Sequence, residues 1–130
     1  LPGSGGAAEI STLARKTLIV GRQTRQAFPE KVDFITSPGY LDGGTARDRL
    51  PIPGRGPQTI ITDLGVFKFD QVSKEVILDS IHPGVQLAEI QETLGWPLKT
   101  GDDIPITEEP REEELRIIRE ELDPRKLYIK

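Results

Sequence analysis

The sequence predicts an α/β fold, an open mixed but mainly parallel sheet with flanking helices. A short helical pattern at residues 7–14 leads into the continuous apolar run 17–20, which is typical of a buried parallel strand. Two strand-like segments at 65–70 and 75–81 are separated by a short polar turn, which predicts an antiparallel hairpin and therefore a mixed sheet.

Two further strands are predicted, at residues 32–36 (VDFIT) and 59–63 (TIITD), because both are rich in β-branched and aromatic residues. Residues 23–31 stay ambiguous, since Pro29 limits any helix there. Residues 37–57 are rich in Gly and Pro and predict a long irregular loop. Loops of that length in compact domains are usually functional or mobile.

The second predicted helix covers residues 83–94, with Leu87, Ile90 and Leu94 on one side. Pro83 suits its first turn and Gly95 suits the position just after its end.

The last predicted helix covers residues 111–122. Pro110 opens it, glutamates occupy its positive N-terminal end, and Asp123-Pro124 ends it. Leu115, Ile118 and Leu122 form its apolar stripe.

Composition excludes several classes of function. The net charge of −4 argues against nucleic acid as the main partner, although a local basic patch still suits a phosphorylated ligand. No apolar run is long enough to cross a bilayer, so no membrane association is expected, and the cytoplasm is the default location. The lack of cysteine excludes disulfides and thiolate-bound metal, and we predict no metal site.

The chain contains no methionine, and it begins directly before a glycine-rich turn. We therefore expect the chain to be a fragment of a longer protein. Asparagine is also absent, and together with the many prolines and charged residues this composition is typical of thermophile proteins.

Three features are candidates for chemistry. The turn at residues 3–6 (GSGG) has backbone amides that suit a phosphate or an oxyanion, although such turns are more often structural. The long loop carries Arg47, Arg49 and Arg55, which suit carboxylate or phosphate, although a solvated loop is the simpler interpretation. His82, the single histidine, is expected to stabilise a turn.

Four segments in order resemble the β-type subunit of the family I CoA-transferases, in the glutaconate CoA-transferase-like branch. Residues 3–9 (GSGGAAE) resemble the family's G-x-G-G-A-x-D turn, with Glu9 where Asp is common. Residues 32–43 (VDFITSPGYLDG), 61–67 (ITDLGVF) and 82–85 (HPGV) complete the pattern. The resemblance covers nearly the whole chain, and it implies that residues 1–130 are the C-terminal part of a single β-type domain whose N-terminal part is missing.

The resemblance implies a subunit of an enzyme that transfers CoA between carboxylic acids through a glutamyl-CoA thioester. It implies an α-type partner subunit, acyl-CoA and carboxylic acid substrates, and no permanently bound cofactor. It also implies that the amides of Gly5 and Gly6 stabilise an oxyanion or contact CoA. We predict further substrate contacts from Gly3, Ser4, Ser37 and Arg47.

The family's catalytic glutamate lies in a Ser-Glu-Asn-Gly motif upstream of the glycine turn, and this chain has no such motif. Either a missing N-terminal part carries it, or the chain belongs to a relative that lacks it. That alternative is a CoA-thioester ring-cleaving hydrolase of the same fold, with the glutamate in the partner subunit. A third possibility is a structural partner that only completes the α-type subunit's site. In every case we expect these 130 residues alone to be inactive.

Overall fold

In the computed structural model, which describes residues 4–128, five strands form one sheet in sequential order. The strands are β1 Thr17–Val20, β2 Pro57–Ile61, β3 Gly65–Phe69, β4 Val76–Ile81 and β5 Lys99–Thr100. β1 pairs with β2 and β4 with β5 in parallel, whereas β3 is antiparallel to both of its neighbours. The predicted mixed sheet is confirmed, but it is not mainly parallel: parallel and antiparallel strand pairs are equal in number among the described residues, because β3 returns antiparallel between two parallel pairs.

The helices are short and flank this sheet. They are α1 Ala7–Leu13, α2 Leu87–Glu92 and α3 Glu112–Arg116, and α3 continues as a π-helical segment, Ile117–Leu122. The carboxylate of Glu114 accepts the backbone N–H of Arg111 at 2.9 Å, which caps the first turn of α3. The last helix is thus confirmed, whereas α2 is shorter than predicted. Within residues 4–128, no helix has the length and apolarity to span a membrane.

The core lies between the antiparallel strands and α2. Phe67 is fully buried at the centre of β3, and Ile60 and Leu78 flank it from the neighbouring strands. Ile90 and Leu94, which the helical periodicity had identified, join the same cluster. The core therefore forms where the buried side of the antiparallel strands packs against the apolar side of α2.

The predicted hairpin between β3 and β4 is confirmed, and Asp70 determines its turn. The Oδ1 atom of Asp70 accepts the backbone N–H groups of Val72 and Ser73 at 3.0 and 2.6 Å. These hydrogen bonds, that of Ser73 first, lower the pKa of the Asp70 carboxyl below its ordinary value. Lys74 completes the turn with a positive φ of 63°.

The predicted strand at residues 32–36 is wrong. This segment is irregular, and Phe34 is 74% exposed. β-branched and aromatic residues favour a strand where a half-buried surface and a neighbouring strand are available. This segment has neither, because it is exposed and no strand of residues 4–128 pairs with it.

The predicted burial of β1 is also wrong for this chain, because Leu18, Ile19 and Val20 are all exposed. Among residues 4–128, β1 is an edge strand that pairs with β2 on one side only. An apolar, unpaired edge of this kind is unusual on a free surface.

Helix α2 begins at Leu87, not at Pro83, because residues 82–85 form a turn. The backbone N–H of Val85 donates to the His82 carbonyl at 3.1 Å, and Gly84 has a φ of 81° that a helix does not allow. Pro83 therefore lies in this turn and not in the first turn of α2.

Gly95 is required for a different reason from the one predicted. Its φ is not in the left-handed region, and its N–H donates to the Phe28 carbonyl at 2.8 Å. A Cβ at this position would lie 2.1 Å from the backbone nitrogen of Glu30. Gly95 thus lets the irregular segment 28–30 pack directly against the end of α2.

Candidate functional site

The glycine-rich turn leads directly into α1. Gly3 lies outside the described residues, and Ser4 is half-buried, with its carbonyl accepting the Ala7 N–H at 3.1 Å. Gly5 has a φ of 51°, in the left-handed region that favours glycine, and Gly6 is the N-terminal cap of α1. The predicted turn is therefore present over its described residues.

The space around this turn is open. A Cβ built on Gly5 would meet no atom within 4 Å, and one built on Gly6 would meet only the Cδ1 of Ile10, at 3.9 Å. Packing among the described residues therefore does not require either glycine. The backbone of Gly5 and Gly6 is exposed and accessible to a ligand.

Ser37 is half-buried at the start of the long loop, and no hydrogen bond within residues 4–128 joins it to the glycine turn. The structure thus brings Ser4, Gly5 and Gly6 together by sequence proximity and leaves Ser37 as a separate predicted contact.

Arg47 is predicted to contact substrate, but the structure shows that its side chain is buried within the fold. It lies in a short 3-10 helix, Arg47–Arg49, and only 5% of the residue is exposed. Its guanidinium donates to the carbonyl of Gly39, to that of Gly54 at 3.1 Å and to that of Ser11 at 3.3 Å. These three contacts fasten the long loop to itself and to α1, so Arg47 is a positioning residue of the loop.

Tyr40 reinforces the same loop. Its hydroxyl donates to the Pro57 carbonyl at 2.6 Å, at the start of β2. Burial raises the pKa of the Tyr40 hydroxyl above its ordinary value. The loop predicted as irregular is thus held at its middle and at its end.

His82 acts as predicted, as a link between turns. Its Nε2 donates to the Thr62 carbonyl at 2.9 Å, because a carbonyl only accepts, and its Nδ1 lies 3.0 Å from the Thr107 Oγ1. Both ring nitrogens are thus used within the fold. Among the described residues, no group of three or more His, Asp or Glu side chains forms a candidate metal site.

A buried polar network next to this turn was not predicted. Gln23 is buried, accepts the Thr62 hydroxyl at 2.9 Å and donates to the Thr93 hydroxyl at 2.8 Å. The Gln23 N–H also donates to the Asp63 carboxylate at 2.8 Å. This network joins the ends of β1 and β2 to α2. No sequence signal indicates it, because a single glutamine in an ambiguous segment has no distinctive pattern.

Exposed apolar side chains are concentrated in residues 10–35. This set, the exposed apolar face, consists of Ile10, Leu13, Leu18, Val20, Phe34 and Ile35, each more than half exposed. This many exposed apolar side chains within one stretch of the chain is typical of a region that other polypeptide covers.

Comparison with known proteins identifies the class. The family model for Coenzyme A transferase matches residues 1–93. The chain is 41% identical over 119 residues to the B subunit of 3-oxoadipate CoA-transferase from Pseudomonas knackmussii, covering 92% of this chain and 46% of that protein. It is 34% identical over 110 residues to the cholesterol ring-cleaving hydrolase IpdB subunit of Rhodococcus jostii, covering 83% of this chain and 42% of that protein.

The fold gives the same assignment. The chain matches the crystal structure of glutaconate coenzyme A-transferase from Acidaminococcus fermentans with a TM-score of 0.88 and 36% identity, covering all of this chain and 50% of that chain. The chain belongs to the Coenzyme A transferase family, and the predicted resemblance to its β-type subunits is confirmed. The chain spans about half the length of the relatives it matches.

Proposed function

We propose that this chain is the C-terminal part of a subunit that transfers CoA between carboxylic acids through an enzyme glutamyl-CoA thioester. It acts with an α-type partner subunit and with polypeptide equivalent to the unmatched part of its relatives. The observation that carries the proposal is the left-handed, exposed glycine turn within a chain of this family. CoA thioesters are substrates in this scheme, no cofactor is bound permanently, and the enzyme works in the cytoplasm.

The chemistry needs a carboxylate nucleophile and a site for negative charge. A glutamate oxygen attacks the acyl carbon of acyl-CoA, the C–S bond breaks, and the CoA thiolate attacks the glutamyl carbonyl of the resulting anhydride. The substrate's acid leaves as a carboxylate and CoA remains on the glutamate as a thioester. An acceptor carboxylate then attacks the glutamyl-CoA thioester, the same two steps run in reverse, and the acceptor leaves as its CoA thioester.

The glycine turn suits the oxyanions of these steps. Each attack on a carbonyl carbon places negative charge on its oxygen, and fixed backbone amides stabilise that charge without reorganising. The Gly5 and Gly6 amides are candidates because a ligand can approach them closely. Gly3, Ser4 and Ser37 are proposed to contact substrate nearby, and Arg47 is proposed to position the loop.

The exposed apolar face supports the need for further polypeptide. Apolar side chains on α1, on β1 and at residues 34–35 remain exposed in the chain by itself. Their burial by neighbouring polypeptide would also pair the free edge of β1.

The covalent intermediate provides the central test. The assembled enzyme, incubated with acyl-CoA and no acceptor acid, is expected to gain CoA on a glutamate that lies outside these 130 residues. Intact-protein mass spectrometry after denaturation measures that adduct, and the 130-residue chain by itself is the control, expected to show neither adduct nor turnover. Failure to find an adduct on any polypeptide of the complex would exclude the transferase mechanism.

Two alternatives remain testable. The 34% identity to a ring-cleaving hydrolase subunit supports ring-cleaving hydrolysis of a CoA-thioester substrate, which would proceed without an acceptor acid and without a glutamyl-CoA adduct. A purely structural role would leave turnover insensitive to changes at the glycine turn.

Replacing Gly5 with Val in the assembled enzyme is expected to lower kcat for CoA transfer about 100-fold, the scale of losing one oxyanion donor. The added side chain projects into the open space where the substrate carbonyl is proposed to bind. Strain from the positive φ is expected to cost about 1–2 kcal/mol of stability. Steady-state kinetics and thermal unfolding separate the two effects.

The matched control is Gly84→Val. Gly84 also has a positive φ, of 81°, and open space around it, but it lies in the turn before α2. It is expected to lose similar stability and keep its kcat. Equal kcat values for the two variants would remove Gly5 from the site.

A further inference from the structure

A cavity of about 650 Å³ lies between residues 40–58, which belong to the long loop and the start of β2, and β3 with the turn that follows it. We call it the basic cavity. The backbone N–H of Gly54, in its wall, donates to the Thr12 carbonyl at 3.0 Å, in the last turn of α1. The glycine turn precedes the first turn of α1, and a seven-residue helix is about 10 Å long. The basic cavity and the glycine turn are therefore at opposite ends of this helix.

The lining of the basic cavity is positively charged, in contrast with the chain. Arg47, Arg55, Lys68 and Lys74 line it, and Asp48 is its single carboxylate. The whole chain has a net charge of −4. A concave surface with an excess of one sign concentrates ligands of the opposite charge.

Two of these cations are available to a ligand. Arg55 is exposed and has no hydrogen bond or ion pair within residues 4–128. The Nζ of Lys74 donates to the Gln71 carbonyl and lies 5.7 Å from the centre of the Tyr40 ring, which leaves donors free. Lys68 pairs with Asp79 at 2.8 Å, and the Arg47 guanidinium already contacts three carbonyls, so these two contribute mainly to the field.

The cavity also has a rigid aromatic wall. The rings of Tyr40 and Phe69 lie 5.0 Å apart between centroids at an interplanar angle of 59°. Gly56 packs closely against the Tyr40 ring, since a Cβ at this position would lie 3.0 Å from that ring. A planar or apolar group of a ligand can rest on this wall while an anionic group reaches the cations.

We propose that the basic cavity binds a phosphate-bearing organic anion, with the phosphate between Arg55 and Lys74 and the rest of the ligand against Tyr40 and Phe69. Phosphate fits better than a lone carboxylate because its several oxygens engage cations from separate segments at once. The volume exceeds the need of a short acid and is in the range of pockets for larger ligands. The phosphate can belong to the nucleotide end of CoA or to a separate phosphorylated metabolite.

Isothermal titration of the assembled enzyme tests the proposal with adenosine 3′,5′-bisphosphate, pyrophosphate and glutarate as probes. Both phosphate probes are expected to bind, more tightly than glutarate, and more weakly as salt rises. Arg55→Gln and Lys74→Gln are each expected to raise the Kd about tenfold, on the scale of one charge-assisted hydrogen bond. Circular dichroism checks that both variants keep the fold.

Arg125→Gln is the matched control, because Arg125 is exposed and lies on the C-terminal segment away from the cavity. It is expected to leave the Kd unchanged. Lack of binding by both phosphate probes would overturn the proposal, as would equal weakening by all three substitutions. If CoA displaces the bound bisphosphate, the basic cavity is the site of the CoA nucleotide. If the bisphosphate stays bound in the presence of CoA, the cavity binds a separate phosphorylated ligand. These binding results do not depend on transferase chemistry.

Discussion

Replacing Arg47 with Gln is expected to lower the free energy of unfolding by about 3 kcal/mol, because buried carbonyls lose a charged donor. The guanidinium joins the carbonyls of Gly39, Gly54 and Ser11, which belong to two parts of the loop and to α1. A glutamine amide is too short to reach all three. Urea unfolding, followed by circular dichroism, measures the change in midpoint.

Arg49→Gln provides the control for this prediction. Arg49 lies on the same 3-10 helix, is exposed, and its side chain has no hydrogen bond or ion pair in the described part of the chain. Its loss is expected to change stability by less than about 0.5 kcal/mol, the usual range for surface substitutions. If the two variants unfold at the same urea concentration, the structural role assigned to Arg47 is wrong.

Replacing Gly95 with Ala is expected to cost about 3 kcal/mol, because overpacking against backbone leaves no flexible side chain to move away. The new Cβ would lie 2.1 Å from the Glu30 nitrogen and 2.5 Å from the Pro29 carbonyl carbon. Residues 28–30 must then separate from the end of α2, and the hydrogen bond from Gly95 to Phe28 is lost. Thermal unfolding and hydrogen exchange at the Gly95 amide report both effects.

Gly21→Ala is the companion experiment. A Cβ added at Gly21 would have no atom within 4 Å, and the residue has no positive φ, so alanine fits there without strain. The substitution is expected to be neutral or slightly stabilising, since alanine restricts the unfolded chain. If Gly95→Ala and Gly21→Ala lose equal stability, close packing against residues 28–30 is not the reason that glycine is needed at position 95.

The antiparallel part of the fold could be predicted from local pattern. Phe67 is buried and Lys68 exposed because side chains alternate along a strand, and the short turn after β3 allows only an antiparallel return. Ile90 and Leu94 were identified as core positions from helical spacing. These features depend on residues close together in the chain, where sequence spacing is also spatial spacing.

The candidate site was only partly predictable. The glycine turn was identified because glycine tolerates the left-handed backbone that Gly5 adopts, which is a local property. The role of Arg47 could not be predicted, because its partner Ser11 lies 36 residues away. An arginine in a glycine-rich loop has the same sequence pattern whether it binds a ligand or three carbonyls.

The sequence by itself determined the approximate positions of the helices, the hairpin, the core positions Ile90 and Leu94 and, through an ordered set of motifs, the family. Only the tertiary structure decided that β1 is an exposed edge, that residues 32–36 pair with no described strand, and that Gly95 is needed for close packing. It also decided that Arg55 and Lys74 meet at one cavity. The physical reason is that propensity and periodicity act over a few residues, whereas burial, strand pairing and close approach depend on which distant segments meet.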